Sequence, residues 1–392
     1  MLENTLSGIQ ITNFGLVCAL IGLSLFMLAQ SWFRQDEYHA QFLVLFYLSN
    51  LMSQLDELVG MVELWKEYPW LTNLYIPALY VFAPACYLYV KSITTPLTPT
   101  CSWWKNIHWS GFIVALIFCT PYFFLEQSIK LDRLIAPAGT LEHLHFITLG
   151  PKIALIGFVP FSLFYLVLVV KRLPEHLNNI KSYFSNIQDK DLSWLRWSIM
   201  VLFLALLVSA FQLFLPSSVT EQAFLKLISL TFEFGWIAAF SILAIKQKTI
   251  YQSTKEIGLV LESSKLKEPV KYSRSQISEE DSLRIQHKLI NAMEVEFLYR
   301  DSNLTLRSLS DATGISENRI SQVFTTKIQL GFYDFVNSWR IKDACIKMKK
   351  TNDTILDIAY AVGFNSRSTF NTAFKKHTGQ TPSKYRNLLG SS

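Results

Sequence analysis

Two short stretches near the end of the chain gather amide, hydroxyl and guanidinium side chains at matching places in a repeated pattern. The first, LTLRSLSDATGISENRISQVF, sets Glu317, Asn318, Ser321, Gln322 and Thr325 opposite an apolar face. The second, TILDIAYAVGFNSRSTFNTAF, sets out Arg367, Ser368, Asn371 and Thr372, with Lys375 at the edge. Neither contains a nucleophile beside a base, a glycine-rich phosphate loop or a run of metal ligands, and no such constellation is read elsewhere. The chain is therefore expected not to be an enzyme and to need no cofactor or metal. These groups are suited to bonding base edges, because Arg bonds guanine through two parallel contacts and Asn or Gln does so to adenine. On that chemistry Asn318, Gln322, Arg367 and Asn371 are the strongest candidates for base readout. Thr305, Thr354, Lys375 and Lys376 fall near helix ends, where contacts to phosphates position a protein without specifying sequence.

The surrounding spacing supplies the elements that would hold them. Each copy has apolar residues at helical intervals (Leu306 and Leu309; Ile355 and Ile358), a small residue (Ala312 or Ala361), then a glycine. A second amphipathic stretch follows, carrying Ile320, Val323 and Phe324 in one copy and Phe370, Ala373 and Phe374 in the other. Two helices joined by a tight glycine turn make a helix-turn-helix, whose second helix can enter the DNA major groove. Thr305 should cap a helix ending at Thr313, and Ser316 should cap a second over about 317–327. Thr354 with Asp357 reads as a capping box, and the last recognition helix should run from about Ser366 to His377. The glycines of the two copies, Gly314 and Gly363, lie 49 residues apart, which leaves room for one connecting helix.

These residues resemble the DNA-binding domain of the AraC/XylS family of bacterial transcription regulators. The resemblance runs from about Ser282 to Asn387 and includes the connecting stretch GFYDFVNSWRIKDACIKM and the closing TPSKYR. It implies two helix-turn-helix units held rigidly by the connecting helix and entering successive major-groove turns on one face of the duplex. The matching family positions are Asn318, Ser321 and Gln322, and Arg367, Ser368 and Thr372. Arginine is frequent in the family where Gln322 and Thr372 stand, so the target sequence cannot be carried over. Arg340, beside Trp339, is expected to pair internally rather than touch DNA.

Charge and hydropathy divide the chain. Residues 282–392 hold 16 Lys and Arg against nine Asp and Glu, whereas the remainder holds 20 against 21. The basic excess thus lies wholly in the segment that resembles a DNA-binding domain, as attraction to phosphates requires. Over the whole chain 51% of residues are hydrophobic and 17% charged, below the roughly 25% charged of a soluble domain. Five cysteines show neither paired nor zinc-like spacing.

Apolar stretches of about 20 residues are long enough to span hydrocarbon. Seven are expected, at approximately 9–33, 39–62, 70–92, 106–125, 146–170, 195–215 and 223–245. With the N-terminus outside, eight Lys and Arg fall in inward loops and four in outward segments, which places the C-terminal region in the cytoplasm by the positive-inside rule. The fold expected is all-α: a seven-span bundle at 1–246, a linker at 247–281 and a double helix-turn-helix domain at 282–392. Ile250, Ile257 and Val260 suggest a short helix in the linker that pairs protomers or transmits movement. Ser278 with Asp281 should open the first helix of the last domain.

Polar groups inside spans are the sequence clue to sensing, because ionisable groups at that depth face a bundle interior or a wet cavity. Asp56, Glu57, Tyr80, Gln212 and Glu233 are the candidates for a ligand site, with helix packing as the competing role. His143 and His145 with Glu142 are expected to be solvated rather than to hold a metal. The reading is a one-component transcription regulator in the bacterial inner membrane. Its expected partners are double-stranded promoter DNA, the lipid bilayer, RNA polymerase if it activates, a small-molecule or membrane signal, and a second copy if the linker helix pairs. The alternatives are a transporter or membrane enzyme with a regulatory DNA-binding tail, and an anchored factor released by proteolysis at 247–281.

Overall fold

A computed structural model describes residues 2–34, 39–94, 107–135, 145–187, 190–212, 219–246 and 277–390. Among them all regular structure is helical apart from one isolated bridge between Phe184 and Thr305. The chain divides into two compact units, Met1–Leu173 with Leu192–Tyr251, and Pro174–Asp191 with Gln252–Ser392. A division at residue 246, as read from hydropathy, leaves 174–191 with the first unit; by contact they cluster with the second.

The first unit contains α1 (Leu2–Phe33), α2 (Ala40–Met61), α3 (Tyr75–Thr94), α4 (Ser110–Phe123), α5 (Gln127–Ile135), most of α6 (His145–Tyr183), α7 (Ser193–Gln212) and α8 (Val219–Lys246). α2 packs on α1 and α3, α8 packs on α1 and α7, and α4 packs on α3. Their shared core is aromatic. Phe46 stacks on Phe82 with ring centroids 4.6 Å apart and meets Phe240 at 5.1 Å, while Trp236 stacks on Phe240 at 5.4 Å. Many large apolar side chains face outward instead, among them Phe26, Ile117, Ile156, Phe164 and Trp197. Exposed apolar side chains in such number are compatible with a non-aqueous surround or a partner.

Among the described residues five helices are long and apolar enough to cross a membrane: Gly8–Phe33, Ala40–Met61, Pro69–Thr94, Leu149–Tyr183 and Gln222–Ala244. Five of the seven expected stretches thus coincide with helices of that length and composition. The fourth expected span forms the 14-residue α4, about 21 Å long and short of the roughly 30 Å of hydrocarbon. At the sixth the apolar helical stretch is Trp194–Leu204, within α7, and the end of that expected span lies outside the described residues. Hydropathy averages over a window and does not register where a helix stops. The expected linker helix at 250–260, His143 and the side chain of His145 also lie outside the described residues.

The second unit is built from α9 (Glu279–Glu294), α10 (Leu306–Thr313), α11 (Glu317–Val323), α12 (Phe332–Lys350), α13 (Ile355–Ala361), α14 (Arg367–Thr378) and α15 (Pro382–Gly390). Ser278 opens α9 by accepting the Asp281 backbone N–H at 3.1 Å. Two apolar cores form. Ile285, Leu289, Leu309, Ile320, Val323 and Phe324 build the first, and Ile358, Val362, Phe364, Phe370 and Phe374 the second. α12 supplies both, with Phe332, Phe335 and Val336 to one and Ile341, Ala344 and Met348 to the other. Each buried Phe, Val, Ile or Met side chain contributes about 1.5–3 kcal/mol, so α12 is anchored in both cores.

Candidate nucleic-acid interface

Both candidate stretches fold as helix pairs, for local reasons written in their caps. Thr305 accepts the Ser308 N–H at 3.0 Å and the Ser308 hydroxyl accepts the Thr305 N–H at 2.8 Å, a reciprocal box that starts α10. Gly314 ends it at φ 68°, and the chain turns into α11 through extended Ser316. Ser316 makes no side-chain cap bond. In the second pair Thr354 accepts the Asp357 N–H at 3.1 Å and donates its hydroxyl to the Asp357 carboxylate at 2.6 Å. Gly363 turns at φ 97°, and Ser366 caps α14 by accepting the Thr369 N–H at 3.2 Å. The turn at Gly363 has a further requirement: a Cβ there would lie 2.7 Å from the Tyr299 carbonyl oxygen. Only glycine fits this approach of the second pair to the 298–300 turn that precedes α10.

The second helix of each pair turns its apolar side inward and its candidate side outward. On α11, Ile320 and Val323 are fully buried while Asn318 and Ser321 are exposed and Gln322 is half-buried. On α14, Phe370 and Phe374 are fully buried while Arg367, Ser368 and Thr372 are exposed and Asn371 is half-buried. The Thr372 hydroxyl donates back to the Ser368 carbonyl at 3.0 Å, which leaves its lone pairs and methyl group outward. α11 is shorter than the 317–327 expected. After Val323 the chain loosens into a π-type turn, Phe324–Ile328, and leaves it at Gln329 with φ 57°.

The phosphate candidates divide. Lys375 is exposed in the last turn of α14, where a cation also complements the helix dipole. Lys376 holds Asp334 at 2.6 Å. Thr354 is exposed, whereas Thr305 is half-buried beside the Phe184 bridge. Arg319, exposed on α11 between Asn318 and Ile320, was not among the sequence candidates. Its place one residue before a buried isoleucine hid it, although a full turn-by-turn assignment of α11 would have shown it outward. Arg340 is buried at 1% exposure, as its internal role requires. Its Nε donates to the Tyr299 carbonyl at 2.7 Å and its Nη2 to the Asp301 carbonyl at 2.7 Å. Burial pushes the guanidinium down to about 10, still charged at neutral pH.

In the first unit Glu233 accepts from Gln54 Nε2 at 2.6 Å and from Asn50 Nδ2 at 3.3 Å, and Ser24 donates to Asn50 at 2.9 Å. Glu57 pairs with Lys226, and half-buried Asp56 accepts a backbone bond from Asn73. Tyr80 is held elsewhere, donating to the Ala154 carbonyl at 2.6 Å within a separate apolar cluster. The side chain of Gln212 lies outside the described residues. A cavity lined by Phe82, Phe158, Tyr165, Leu195 and Trp236 is apolar, and Asp56, Glu57, Tyr80 and Glu233 are not among its described lining residues.

Paired helices with buried apolar faces, glycine turns and polar outer faces are what a groove-reading module requires. Residues 309–388 match the Helix-turn-helix domain family. This helix-turn-helix domain is 40% identical over 89 residues to an uncharacterized HTH-type transcriptional regulator of Staphylococcus aureus, covering 23% of this chain and 12% of the regulator. It is also similar to the melibiose operon regulatory protein of Escherichia coli, at 27% identity over 137 residues, 34% of this chain and 45% of that protein. The chain therefore spans about an eighth of the first relative's length and less than half of the second's. Among solved structures, a Listeria innocua protein aligns with 26% of this chain and 95% of its own at 29% identity, with a TM-score of 0.24. The C-terminal domain of AraT, a response regulator from Geobacillus stearothermophilus, aligns with 29% of this chain and 88% of its own at 26% identity, with a TM-score of 0.24. The helix-turn-helix domain and regulators of this kind support a DNA-binding regulator.

Proposed function

We propose that the protein is a membrane-embedded one-component transcription regulator that binds promoter DNA through both helix pairs. The carrying observation is the outward set Asn318, Ser321, Arg367, Ser368 and Thr372, exposed on the second helices of both pairs inside the segment matched to the helix-turn-helix domain. α11 and α14 enter successive major grooves. Arg367 and Asn318 read bases with Gln322 and Asn371, and Lys375, Lys376, Thr305 and Thr354 hold the backbone. The apolar exterior of the first unit and its five membrane-length helices support embedding in a bilayer. The N-terminus lies outside and the helix-turn-helix domain in the cytoplasm. A ligand or membrane state shifts the bundle between two conformations, with the Glu233 cluster as the polar centre that responds; such a shift requires a difference in affinity for the two states. A second copy of the chain and, for an activator, RNA polymerase complete the assembly.

The test is genome-wide occupancy of the full-length protein beside its Arg367→Ala variant. Discrete promoter sites that weaken in the variant are the expected result. Absence of specific sites for the full-length protein, under inducing and non-inducing growth alike, overturns the reading.

A further inference from the structure

Sequence pattern places the route between the two units in the polar stretch after the last span. The structure holds a different connection. Residues 174–191 are the end of α6 and the turn after it, far in sequence from the helix-turn-helix domain, yet they are bound into that domain's unit by directed bonds. The Ser185 backbone N–H donates to the Leu304 carbonyl at 3.1 Å and its hydroxyl donates to the same oxygen at 2.7 Å. Phe184 forms an antiparallel bridge with Thr305, the N-cap of α10. Ser185 is 1% exposed, Ile180 and Ile187 are buried, and Tyr183 packs against the first core. Lys181 lies over the Tyr333 ring at 5.8 Å.

The same segment completes the environment of Arg340. Nη2 reaches the Ser185 hydroxyl at 3.1 Å and Nη1 the Ser185 carbonyl at 3.5 Å, beside the bonds to Tyr299 and Asp301. Arg340 also lies over the Phe364 ring at 5.4 Å, so it touches both halves of the domain. A buried guanidinium surrounded by carbonyls and one hydroxyl depends on each of them, because a lost partner leaves a charged donor unsatisfied. The Ser185 hydroxyl serves both sides, donating to Leu304 and accepting from Arg340.

The geometry points to an autoinhibitory contact: residues 183–185 dock on the 304–305 edge and on Arg340, and while docked they occupy the start of α10 that a DNA phosphate would use. This rests on the DNA-binding reading above and names its control. α6 is continuous from His145 to Tyr183, so a movement of that helix acts directly on the docked turn, without the 247–281 stretch. Undocking frees the Thr305 N-cap and loosens the arginine that joins the two helix pairs.

The test uses the full-length protein in lipid nanodiscs, with its native cysteines replaced and Phe184→Cys and Thr305→Cys introduced. Antiparallel bridge partners have Cα atoms about 4.5–5.5 Å apart, inside the range of about 4.4–6.8 Å a disulfide needs. Mild oxidation is expected to form the intrachain disulfide in most molecules; failure to form it overturns the docking, whatever the protein does with DNA. Affinity for a promoter fragment found by occupancy is then measured oxidised and reduced. The expected result is at least about tenfold weaker binding when oxidised, with a salt dependence shallower by about one phosphate contact. Equal or tighter binding by the oxidised form overturns the autoinhibition. Ser185→Ala, compared with Ser182→Ala on the exposed side of the same helix end, should bind DNA at least about fivefold tighter, and no difference between them also overturns it. A protein that forms the disulfide but binds no DNA specifically in either state refutes the regulator reading and leaves the docking standing.

Discussion

Alanine at Gly363 should destabilise the C-terminal unit far more than alanine at Gly314, although both glycines have positive φ. At Gly314, φ is 68° and a Cβ would meet nothing within 4 Å. The penalty there is the left-handed conformation alone, about 1–2 kcal/mol. At Gly363, φ is 97° and the Cβ would lie 2.7 Å from the Tyr299 carbonyl oxygen and 2.8 Å from that of Arg300. Those atoms are backbone and cannot swing aside, and the Tyr299 oxygen also holds Arg340. Forced repacking adds about 1–3 kcal/mol, so the total at Gly363 is about 2–5 kcal/mol. With a urea dependence of about 1–3 kcal/mol per molar, the two variants should differ in midpoint by roughly 1 M. Pulse proteolysis of the full-length protein in detergent, followed through a C-terminal tag, reads that midpoint. Equal midpoints would refute the argument that the Gly363 turn is set by close backbone approach.

Three further outcomes follow from named contacts. Arg367→Ala should weaken promoter binding by about 1–3 kcal/mol and relax preference at one base position, whereas Lys375→Ala should weaken all sequences alike and lower the salt slope by about 1; titrations at several salt concentrations separate the two, and identical behaviour would remove Arg367 from base readout. Glu233→Leu leaves the Gln54 and Asn50 donors without their acceptor, at about 1–3 kcal/mol each, while Glu233→Gln retains an accepting oxygen and should melt closer to the parent in detergent. If the two melt alike, the cluster does not act through these bonds. Reporter fusions should place the N-terminus outside and residue 246 inside, and the reverse pattern would invert the proposed topology.

The helix pairs were legible because their information is local. Leu306, Leu309, Ile320, Val323, Phe370 and Phe374 stand at helical spacing and are buried, and the capping residues Thr305, Thr354 and Ser278 each hold the expected N–H. Composition likewise carried the apolar helices, since each apolar run is contiguous in sequence. What escaped was non-local or depended on a helix stopping. α4 ends at Phe123 though apolar residues continue to Leu125, and α11 gives way to a π-type turn inside an unbroken pattern. Glu233 was visible as a lone acid, but Asn50 and Gln54, its partners from α2, look like ordinary amides in sequence. Arg340 could be read as internal from its setting, whereas Ser185, 155 residues away, leaves no periodic trace of the bond between them.

The single helix that enters both apolar cores also acts as a phase gauge. Val336 belongs to one core and Ala344 to the other, and each residue between them advances the axis by about 1.5 Å and turns it by roughly 100°. On the duplex, one base pair advances about 3.4 Å and turns about 35°. No whole number of inserted helix residues up to a full turn reproduces a one-base-pair step in both distance and angle. If both pairs engage DNA, a promoter that gains or loses one base pair between its half-sites cannot be matched by lengthening α12. Drift in half-site spacing should then be tolerated less than substitution within a half-site.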